Sequence, residues 1–284
     1  MRIRPPAVPL GRRLGALSPR RRRFVAGTAL VVLVLAGVLG GPPLVSRLGG
    51  RSAPTGPPAQ DKPGTVLLVP GYGGGTGSLD TLAARIRAAT GRRAEVVQLP
   101  QGGVGDLSVQ AGVLDGYVND ALRSAPSVDV IGYSAGGVVA RLWVEQHDGA
   151  AKARRVITLG SPFHGTTVAG AGAAADPDAC PIACQQLVPG SSLLTRLDAD
   201  APQPGQPPWL SVWTDQDQTV VPPDSASLPG ATDLRVQSVC PDEQVAHGDL
   251  PTDAAVVGIV LRALGTAPIA GAAAASCSAL KADH

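Results

Sequence analysis

The sequence has few aromatic residues and few charged residues, and each shortage excludes a class of protein or binding site. Three Trp, three Tyr and two Phe are the only aromatic residues among 284, so an aromatic-lined binding pocket is not expected. Charged residues make up 16% and hydrophobic residues 44% of the chain, a balance that excludes an intrinsically disordered protein. The length allows one or two domains with a sizeable core.

Acidic residues are absent from positions 1–60, which carry ten Arg. Residues 61–284 hold fourteen basic and twenty-two acidic side chains, a formal net charge of −8. Proteins that bind nucleic acid usually present a basic surface. No nucleic-acid partner is therefore expected for the main part of the chain.

The N-terminal arginines precede a long uncharged run. Eight Arg lie in residues 1–23, and residues 24–46 carry no charge. A basic flank before an apolar core is typical of a signal peptide or a signal anchor, and the positive-inside rule predicts a cytoplasmic N-terminus. No A-x-A cleavage site follows, which favours a transmembrane signal anchor over residues 24–41 rather than a cleaved signal peptide.

Residues 42–64 are rich in Pro, Gly and Ala and show no apolar periodicity, which indicates a linker between this segment and a domain over residues 65–284. In that domain, short β-branched runs alternate with helical patterns, which predicts a mostly parallel α/β sheet flanked by helices. The predicted strands are 65–70, 94–99, 128–133, 155–159, 210–214 and 234–239, and the predicted helices are 79–89, 107–123, 135–147 and 253–264.

Four cysteines lie in the part of the chain that is expected to be exported. An even number in an oxidising compartment suggests two disulfides, and of the three pairings we favour Cys180 with Cys184 and Cys240 with Cys277. A zinc site is not expected, because the spacing between the first two cysteines does not suit one and no His cluster lies nearby. Residues 163–207 interrupt the alternation and form either a lid over a site or a surface excursion.

Residues 132–136 read Gly-Tyr-Ser-Ala-Gly and match the pattern G-x-S-x-G. In this motif the serine occupies a sharp strand-to-helix turn, where its hydroxyl projects from the sheet. Because the pattern is short and can occur by chance, the secondary structure around it decides whether it is meaningful. Here a predicted strand precedes it and a predicted helix follows it. We therefore interpret Ser134 as a nucleophile; the alternative is a structural turn.

A serine nucleophile needs a general base, and the chain has four histidines. His147 lies near the end of a predicted helix, where a positive charge is favoured without a catalytic role, and His284 is the last residue of the sequence. His247 follows the last predicted strand, a position that can bring its imidazole over the nucleophile. We predict His247 as the base, with His164 as the alternative.

The acid that orients the base should follow a strand between Ser134 and His247. Asp215 and Asp217 both meet this condition. We favour Asp217, which lies just ahead of the turn into the Pro-containing segment after it, and keep Asp215 as the alternative acid. Either carboxylate also has a simpler interpretation as the cap of a turn.

A glycine-rich loop over residues 70–75 follows the first predicted strand. Its flexible backbone can turn amide N–H groups toward an anion, which is where one oxyanion donor is expected in a serine hydrolase; the second comes from the residue after the nucleophile. We assign the amides of Tyr72 and Ala135. A nucleotide-binding loop is excluded because Thr76 stands where the third glycine of G-x-G-x-x-G is required.

With these residues in place, the chain resembles lipases and esterases of the α/β-hydrolase fold, and small secreted bacterial triacylglycerol lipases most of all. The resemblance implies that fold and the roles assigned above. It also implies that Phe163 and His164 lie near the cleft but outside the triad. Pro70 departs from the pattern, since many relatives have His there. The Cys-bearing insert, which we expect to form a small disulfide-bearing cap, also departs from the family's pattern. Five motifs in order carry the resemblance over residues 65–265: VLLVPGYGG, VDVIGYSAGG, RVITLGSPFHGT, WTDQDQTVVPP and VAHGDL.

The expected function is hydrolysis of small-molecule or lipid carboxylic esters outside the cytoplasm, through a Ser-Asp-His triad and an acyl-enzyme. A cell-envelope acyltransferase with the same triad is one alternative, and a catalytically silent membrane-tethered binding protein is another. No metal or organic cofactor is implied. We expect a monomer, either anchored in the membrane by its N-terminal segment or secreted after cleavage.

Overall fold

The computed structural model describes residues 57–199 and 206–282. The expectations for the basic flank, the membrane segment and residues 42–56 of the linker lie outside the described residues. Within the described ranges, no helix is both long enough and apolar enough to cross a bilayer.

The strands of the described residues form one sheet in which every neighbouring pair is parallel, in the order β2-β1-β3-β4-β5-β6. All residues of the β1 and β4 strands are buried, as their continuous apolar and β-branched sequences suggest for strands covered on both faces. The predicted parallel sheet is confirmed. The bounds are β1 Thr65–Val69, β2 Ala94–Val96, β3 Val128–Tyr133, β4 Ala153–Leu159, β5 Trp209–Trp213 and β6 Thr232–Arg235.

Helices cover both faces of the sheet. Alternate residues of β1 point to opposite faces, so Val66 and Leu68 pack with α1 and α8, whereas Leu67 and Val69 pack with α2 and α3. The result is a three-layer α/β domain. The helices are α1 Gly77–Thr90, α2 Leu107–Ala121, α3 Ala135–Gln146, α4 Thr167–Ala175, α5 Ile182–Gln186, α6 Ser192–Ala199, α7 Val236–Val239, α8 Ala254–Ala263 and α9 Cys277–Ala282.

The prediction of a strand over residues 234–239 is wrong from Val236 onward. β6 ends at Arg235, and the next four residues form α7, closed by a hydrogen bond from Cys240 N to Val236 O of 2.9 Å. A short run containing two valines cannot by itself separate a strand from a buried helical turn. Cys240, which follows this turn, forms a disulfide with Cys277.

The insert after β4 contains three helices, α4, α5 and α6. None of the residues of α4 is buried, whereas α6 buries Leu193, Leu194 and Leu197 in the core. A disulfide joins Cys180, just before α5, to Cys184 within α5. Residues 200–205 of the insert lie outside the described ranges. The predicted disulfide-bearing insert is therefore present, and α6 anchors it to the domain.

At the amino ends of the strands, a buried ion cluster joins neighbouring elements. Asp129 of β3 accepts hydrogen bonds from Arg154 Nε at 3.0 Å and from Arg92 Nη2 at 2.5 Å. Arg154 also donates to the carbonyl oxygens of Leu264 and Gly265, both at 2.8 Å. The cluster ties the end of α8 to the sheet edge opposite the strand ends that carry the candidate site.

Candidate active site

Ser134 occupies the turn between β3 and α3 with φ 54° and ψ −128°. This left-handed conformation is strained for a residue other than glycine. Its amide donates to Leu159 O of β4 at 2.8 Å. The flanking glycines have a steric reason, because a Cβ at Gly136 would overlap the carbonyl oxygen of Val69 and one at Gly132 would overlap Gly137. The pattern G-x-S-x-G is thus what this close approach of β1, β3 and α3 requires.

The loop after β5 places Asp217 against His247. Asp217 Oδ2 lies 2.6 Å from His247 Nδ1, and the two residues are only 4% and 7% exposed. The other carboxylate oxygen, Oδ1, accepts hydrogen bonds from the amides of Thr219 at 2.9 Å and Val220 at 2.8 Å. The carboxylate is therefore held on both oxygens. A ring whose Nδ1 is bonded in this way keeps its Nε2 available as a base.

Tyr133 links this pair to the serine turn. Its ring lies 5.1 Å from that of His247, centroid to centroid, and its hydroxyl donates to His247 O at 3.2 Å. Burial, together with the negative charges of Asp217 and Asp249, raises the pKa of Tyr133 to about 12. Ser134 Oγ makes no hydrogen bond with the described residues. The structure thus joins Asp217 to His247 directly and places His247 against the residue that precedes Ser134.

The candidate oxyanion loop passes directly over the serine. A Cβ at Gly71 would come within 2.8 Å of Ser134 Cβ, so the backbone can run this close only with glycine there. Tyr72 follows, with 45% of its surface exposed. The amides of Tyr72 and Ala135 donate to no atom in the described part of the chain. The assignment of these two amides as oxyanion donors stays a prediction.

A pocket of about 180 Å³ opens at this point, and its walls are mostly apolar. Its lining residues come from the loop after β1, the serine turn, the segment after β4, the insert and the loop after β5. The insert thus contributes to the wall of the pocket. The lining residues are Tyr72, Ser134, Pro162, Thr166, Val168, Ala169, Cys184, Leu187, Thr219 and Val220.

Three of the candidate residues contact neither the Asp217–His247 pair nor the pocket directly, although Pro162 and Thr166, on either side of Phe163 and His164, line the pocket. Asp215 is 3.6 Å from Arg235 Nη1 on the surface, not at His247. His164 lies with Nδ1 3.1 Å from Asp198 Oδ1 and Nε2 3.1 Å from Ser227 O. Phe163 is fully buried in the core. Neither Phe163 nor His164 lines the pocket, which is bounded instead by their neighbours in sequence.

Sequence reasoning missed Gly160, which directly follows β4. It has φ +56°, and a Cβ there would lie 3.1 Å from His247 Nδ1 and 3.2 Å from Asp217 Oδ2. Both distances are shorter than ordinary van der Waals contact, so a side chain at this position would press on the pair. The sequence feature that could have pointed to Gly160 is its place directly after a predicted central strand, at the sheet edge where the candidate residues lie.

Thr166 was also missed. Its hydroxyl donates to Thr219 O at 2.8 Å and accepts from the Val221 amide at 3.0 Å. These bonds tie the start of α4 to the loop that carries Asp217. Within the described residues, the only group with metal-ligand geometry is Cys240, Glu243 and Cys277, and its two sulfurs are consumed by the disulfide.

No protein-family model and no curated protein matches this sequence. Solved structures do resemble it. Lipase B from Aspergillus fumigatus is 17% identical with a TM-score of 0.59, over 71% of this chain and 52% of that one. Mature lipase BlEst2 from Bacillus licheniformis is 18% identical with a TM-score of 0.50, over 62% of this chain and 83% of that one.

A third similar structure belongs to a pair of metagenome-derived lipolytic enzymes, LipS and LipT; it is 16% identical with a TM-score of 0.51, over 69% of this chain and 91% of that one. This chain spans about half the length of the Aspergillus enzyme. At such identities the likeness concerns the fold. Together with the parallel sheet and the serine turn between β3 and α3, it shows that the chain has the α/β-hydrolase fold.

Proposed function

We propose that the chain is a serine hydrolase that cleaves carboxylic esters. The observation that carries the proposal is the 2.6 Å contact between Asp217 Oδ2 and His247 Nδ1, beside a turn that holds Ser134 at φ 54°. The neighbouring pocket is mostly apolar, which suits an acyl chain. The similar solved structures named as lipases support the same chemistry.

In the proposed first half of the reaction, Ser134 Oγ attacks the ester carbonyl carbon and His247 Nε2 takes its proton. Asp217 keeps the proton on Nδ1 and stabilises the imidazolium. The amides of Tyr72 and Ala135 donate to the oxyanion of the tetrahedral intermediate. The bond from carbon to the alkoxy oxygen then breaks, Nε2 returns the proton to that oxygen, and the alcohol leaves an acyl-enzyme.

Water completes the cycle by the same path. His247 Nε2 takes a proton from the water as its oxygen attacks the acyl carbonyl, and the second intermediate again uses the two amides. The bond to Ser134 Oγ breaks, Oγ regains the proton and the carboxylic acid is released. One ester and one water thus give one alcohol and one acid.

We place this reaction outside the cytoplasm. All four cysteines are in disulfides, and disulfides persist in oxidising compartments. The basic and apolar N-terminal segment supports export, with residues 24–41 as the proposed anchor.

The test uses the purified full-length chain with p-nitrophenyl esters from acetyl to palmitoyl. We expect hydrolysis by the wild type, and we expect Ser134→Ala to lose at least about 10³-fold in kcat. Ser124→Ala, on the exposed segment after α2, is the matched control and should keep full activity. If Ser134→Ala is as active as the control, or if a fluorophosphonate labels both variants equally, the proposal is wrong.

A further inference from the structure

The half-buried side chain of Gln237 contacts both of the loops that carry Asp217 and His247. The first of these, the acid loop, is residues 214–220 and follows β5; the second, the base loop, is residues 240–247 and follows α7, the short helix that contains Gln237. Asp217 Oδ2 and His247 Nδ1 remain in contact only while the two loops keep their separation. What fixes that separation therefore bears on the candidate site.

The backbone does not join the two loops. The pairing of β5 with β6 ends at Trp213 with Arg235. Beyond that point, no hydrogen bond between backbone atoms connects the acid loop with the base loop in the described part of the chain. The hydrogen bonds that hold the loops together are therefore made by side chains.

The carboxamide of Gln237 bonds to both loops. Its Oε1 accepts from the amide of Asp215 in the acid loop at 2.9 Å. Its Nε2 donates to Gln216 Oε1 in the acid loop at 2.7 Å and to Glu243 O in the base loop at 3.1 Å. Thr214 Oγ1 lies 3.0 Å from the same nitrogen. The donor and acceptor atoms of this one side chain are thus all used between the loops.

Thr214 and Gln216 add two direct bonds from the acid loop to Val245 of the base loop. The hydroxyl of Thr214, which is fully buried, donates to Val245 O at 2.8 Å. The amide of Val245 donates to Gln216 Oε1 at 3.3 Å. Gln216 directly precedes Asp217, and Val245 lies two positions before His247. These bonds therefore act within two residues of the pair.

A single contact between Asp217 and His247 fixes one distance but leaves the two loops able to rotate about it. A second set of bonds nearby also fixes their relative orientation. Catalytic groups need such support, because a displacement of about 1 Å can cost about a hundredfold in rate.

We infer that Gln237, acting with Thr214 and Gln216, is a positioning residue that holds His247 against Asp217 by joining the base loop to the acid loop. Its importance for catalysis rests on the proposed function. None of the three side chains lines the apolar pocket. Loss of these bonds should therefore lower kcat and leave KM nearly unchanged.

The kinetic test compares variants of the full-length chain on a p-nitrophenyl ester. Gln237→Met and Gln216→Met keep the length of the side chain and remove its hydrogen bonds; we expect each to lower kcat by about tenfold to a hundredfold, with KM within about twofold of the wild type. Gln146→Met, at the exposed end of α3 away from Ser134, is the matched control and should keep full activity.

Gln216→Glu is the conservative variant. Gln216 uses only its Oε1 toward the described residues, as an acceptor, and a glutamate oxygen can take that place. Gln216 is half-exposed, so the added charge stays hydrated. We expect kcat within about threefold of the wild type, well above that of Gln216→Met.

Proton NMR gives a readout that needs no ester. A proton on His247 Nδ1 that is buried in a hydrogen bond to a carboxylate exchanges slowly with water and gives a separate downfield resonance. We expect this resonance in the wild type, in Gln216→Glu and in Gln146→Met. It should broaden or vanish in Gln216→Met and Gln237→Met, because the two loops then move relative to each other.

Wild-type kcat in both Met variants, an unchanged resonance in both, or an equal loss of kcat in Gln216→Glu and Gln216→Met would overturn the inference. In each of these cases hydrolysis that depends on Ser134 would still stand. If near-UV circular dichroism shows that Gln237→Met does not fold, the two Gln216 variants decide. If the wild type hydrolyses no ester and takes up no fluorophosphonate, the proposed function fails, and the resonance still decides whether these bonds hold His247 against Asp217.

Discussion

Asp217 and His247 are thirty positions apart in the chain, yet Asp217 Oδ2 lies 2.6 Å from His247 Nδ1 and both side chains are buried. The contact is formed between two loops at the carboxyl ends of the sheet. The carboxylate is also held by the amides of Thr219 and Val220. The fixed carboxylate holds the imidazole ring of His247 in one orientation. Removing this contact is therefore the sharpest test of the site.

Replacing Asp217 with Asn should lower kcat by about 10³–10⁴-fold, because an amide cannot hold the imidazole in the required tautomer or stabilise its positive charge. The fold should persist, since the Asn side-chain oxygen can still accept from the two backbone amides. Asp215→Asn is the control, because Asp215 faces Arg235 on the surface. Steady-state kinetics decide, and equal losses in the two variants would contradict the assignment of Asp217 as the orienting acid.

Gly160→Ala should reduce activity by about tenfold or more, since its Cβ would press on Leu250, His247 and Asp217 and a small displacement of catalytic groups is costly. Gly190→Ala is a matched control, because Gly190 also has positive φ but a Cβ there would meet nothing within 4 Å. Both variants carry the backbone strain, and only one carries the clash. Similar kinetics for the two would show that Gly160 does not govern the geometry of the pair.

Thr166→Val should remove two hydrogen bonds to the loop that carries Asp217 and destabilise the protein by about 1–2 kcal/mol. We also expect kcat to fall, because the loop positions both Asp217 and the pocket wall. Thr81→Val, an exposed threonine of α1, is the control. Urea unfolding and kinetics on a p-nitrophenyl ester measure the two effects, and a stability loss with unchanged kcat would limit Thr166 to a structural role.

The pKa of Tyr133, raised from 10.0 to about 12, predicts a loss of stability at high pH. The folded state keeps a proton that the unfolded state releases, so this contribution is fully present below pH 10 and is lost as the pH rises toward 12. Tyr133→Phe should flatten the fall in the free energy of unfolding over this range. Parallel pH profiles for the variant and the wild type would contradict the prediction.

Asp129→Asn should destabilise the fold by about 3–5 kcal/mol, because Arg154 would be left buried without a counter-charge. The exposed pair of Arg93 and Glu95 gives the control, and Glu95→Gln should cost at most about 1 kcal/mol. Denaturant unfolding measures both. Equal losses would show that burial of the ion cluster is unimportant to stability.

Much of the fold was predictable because burial leaves a local pattern. The run TVLLV is apolar at every position, as a strand covered on both faces must be, and β1 occupies that run. The turn at Ser134 was predictable for a similar reason, since the close approach of three elements requires glycines beside it. The helical turn at 236–239 was not predictable, because a short run containing two valines does not by itself separate a strand from a buried helical turn.

The candidate site was likewise predictable from the sequence only in part. Two aspartates follow β5, and no local rule separates them with certainty, because each lies in a polar loop just beyond the strand. The distinction comes from the path of that loop, which turns Asp217 inward onto the Thr219 and Val220 amides and leaves Asp215 beside Arg235. The surroundings of His164 are set in the same way, by contacts with Asp198 and Ser227.

The sequence by itself determined the alternation of strands with the four main helices and the turn that presents Ser134, since each depends on residues a few positions apart. Only the tertiary structure decided which carboxylate meets His247, what surrounds His164, and which residues line the apolar pocket beside Ser134. Those features depend on atoms far apart in the chain, whose separation is set by loop paths and packing rather than by local periodicity.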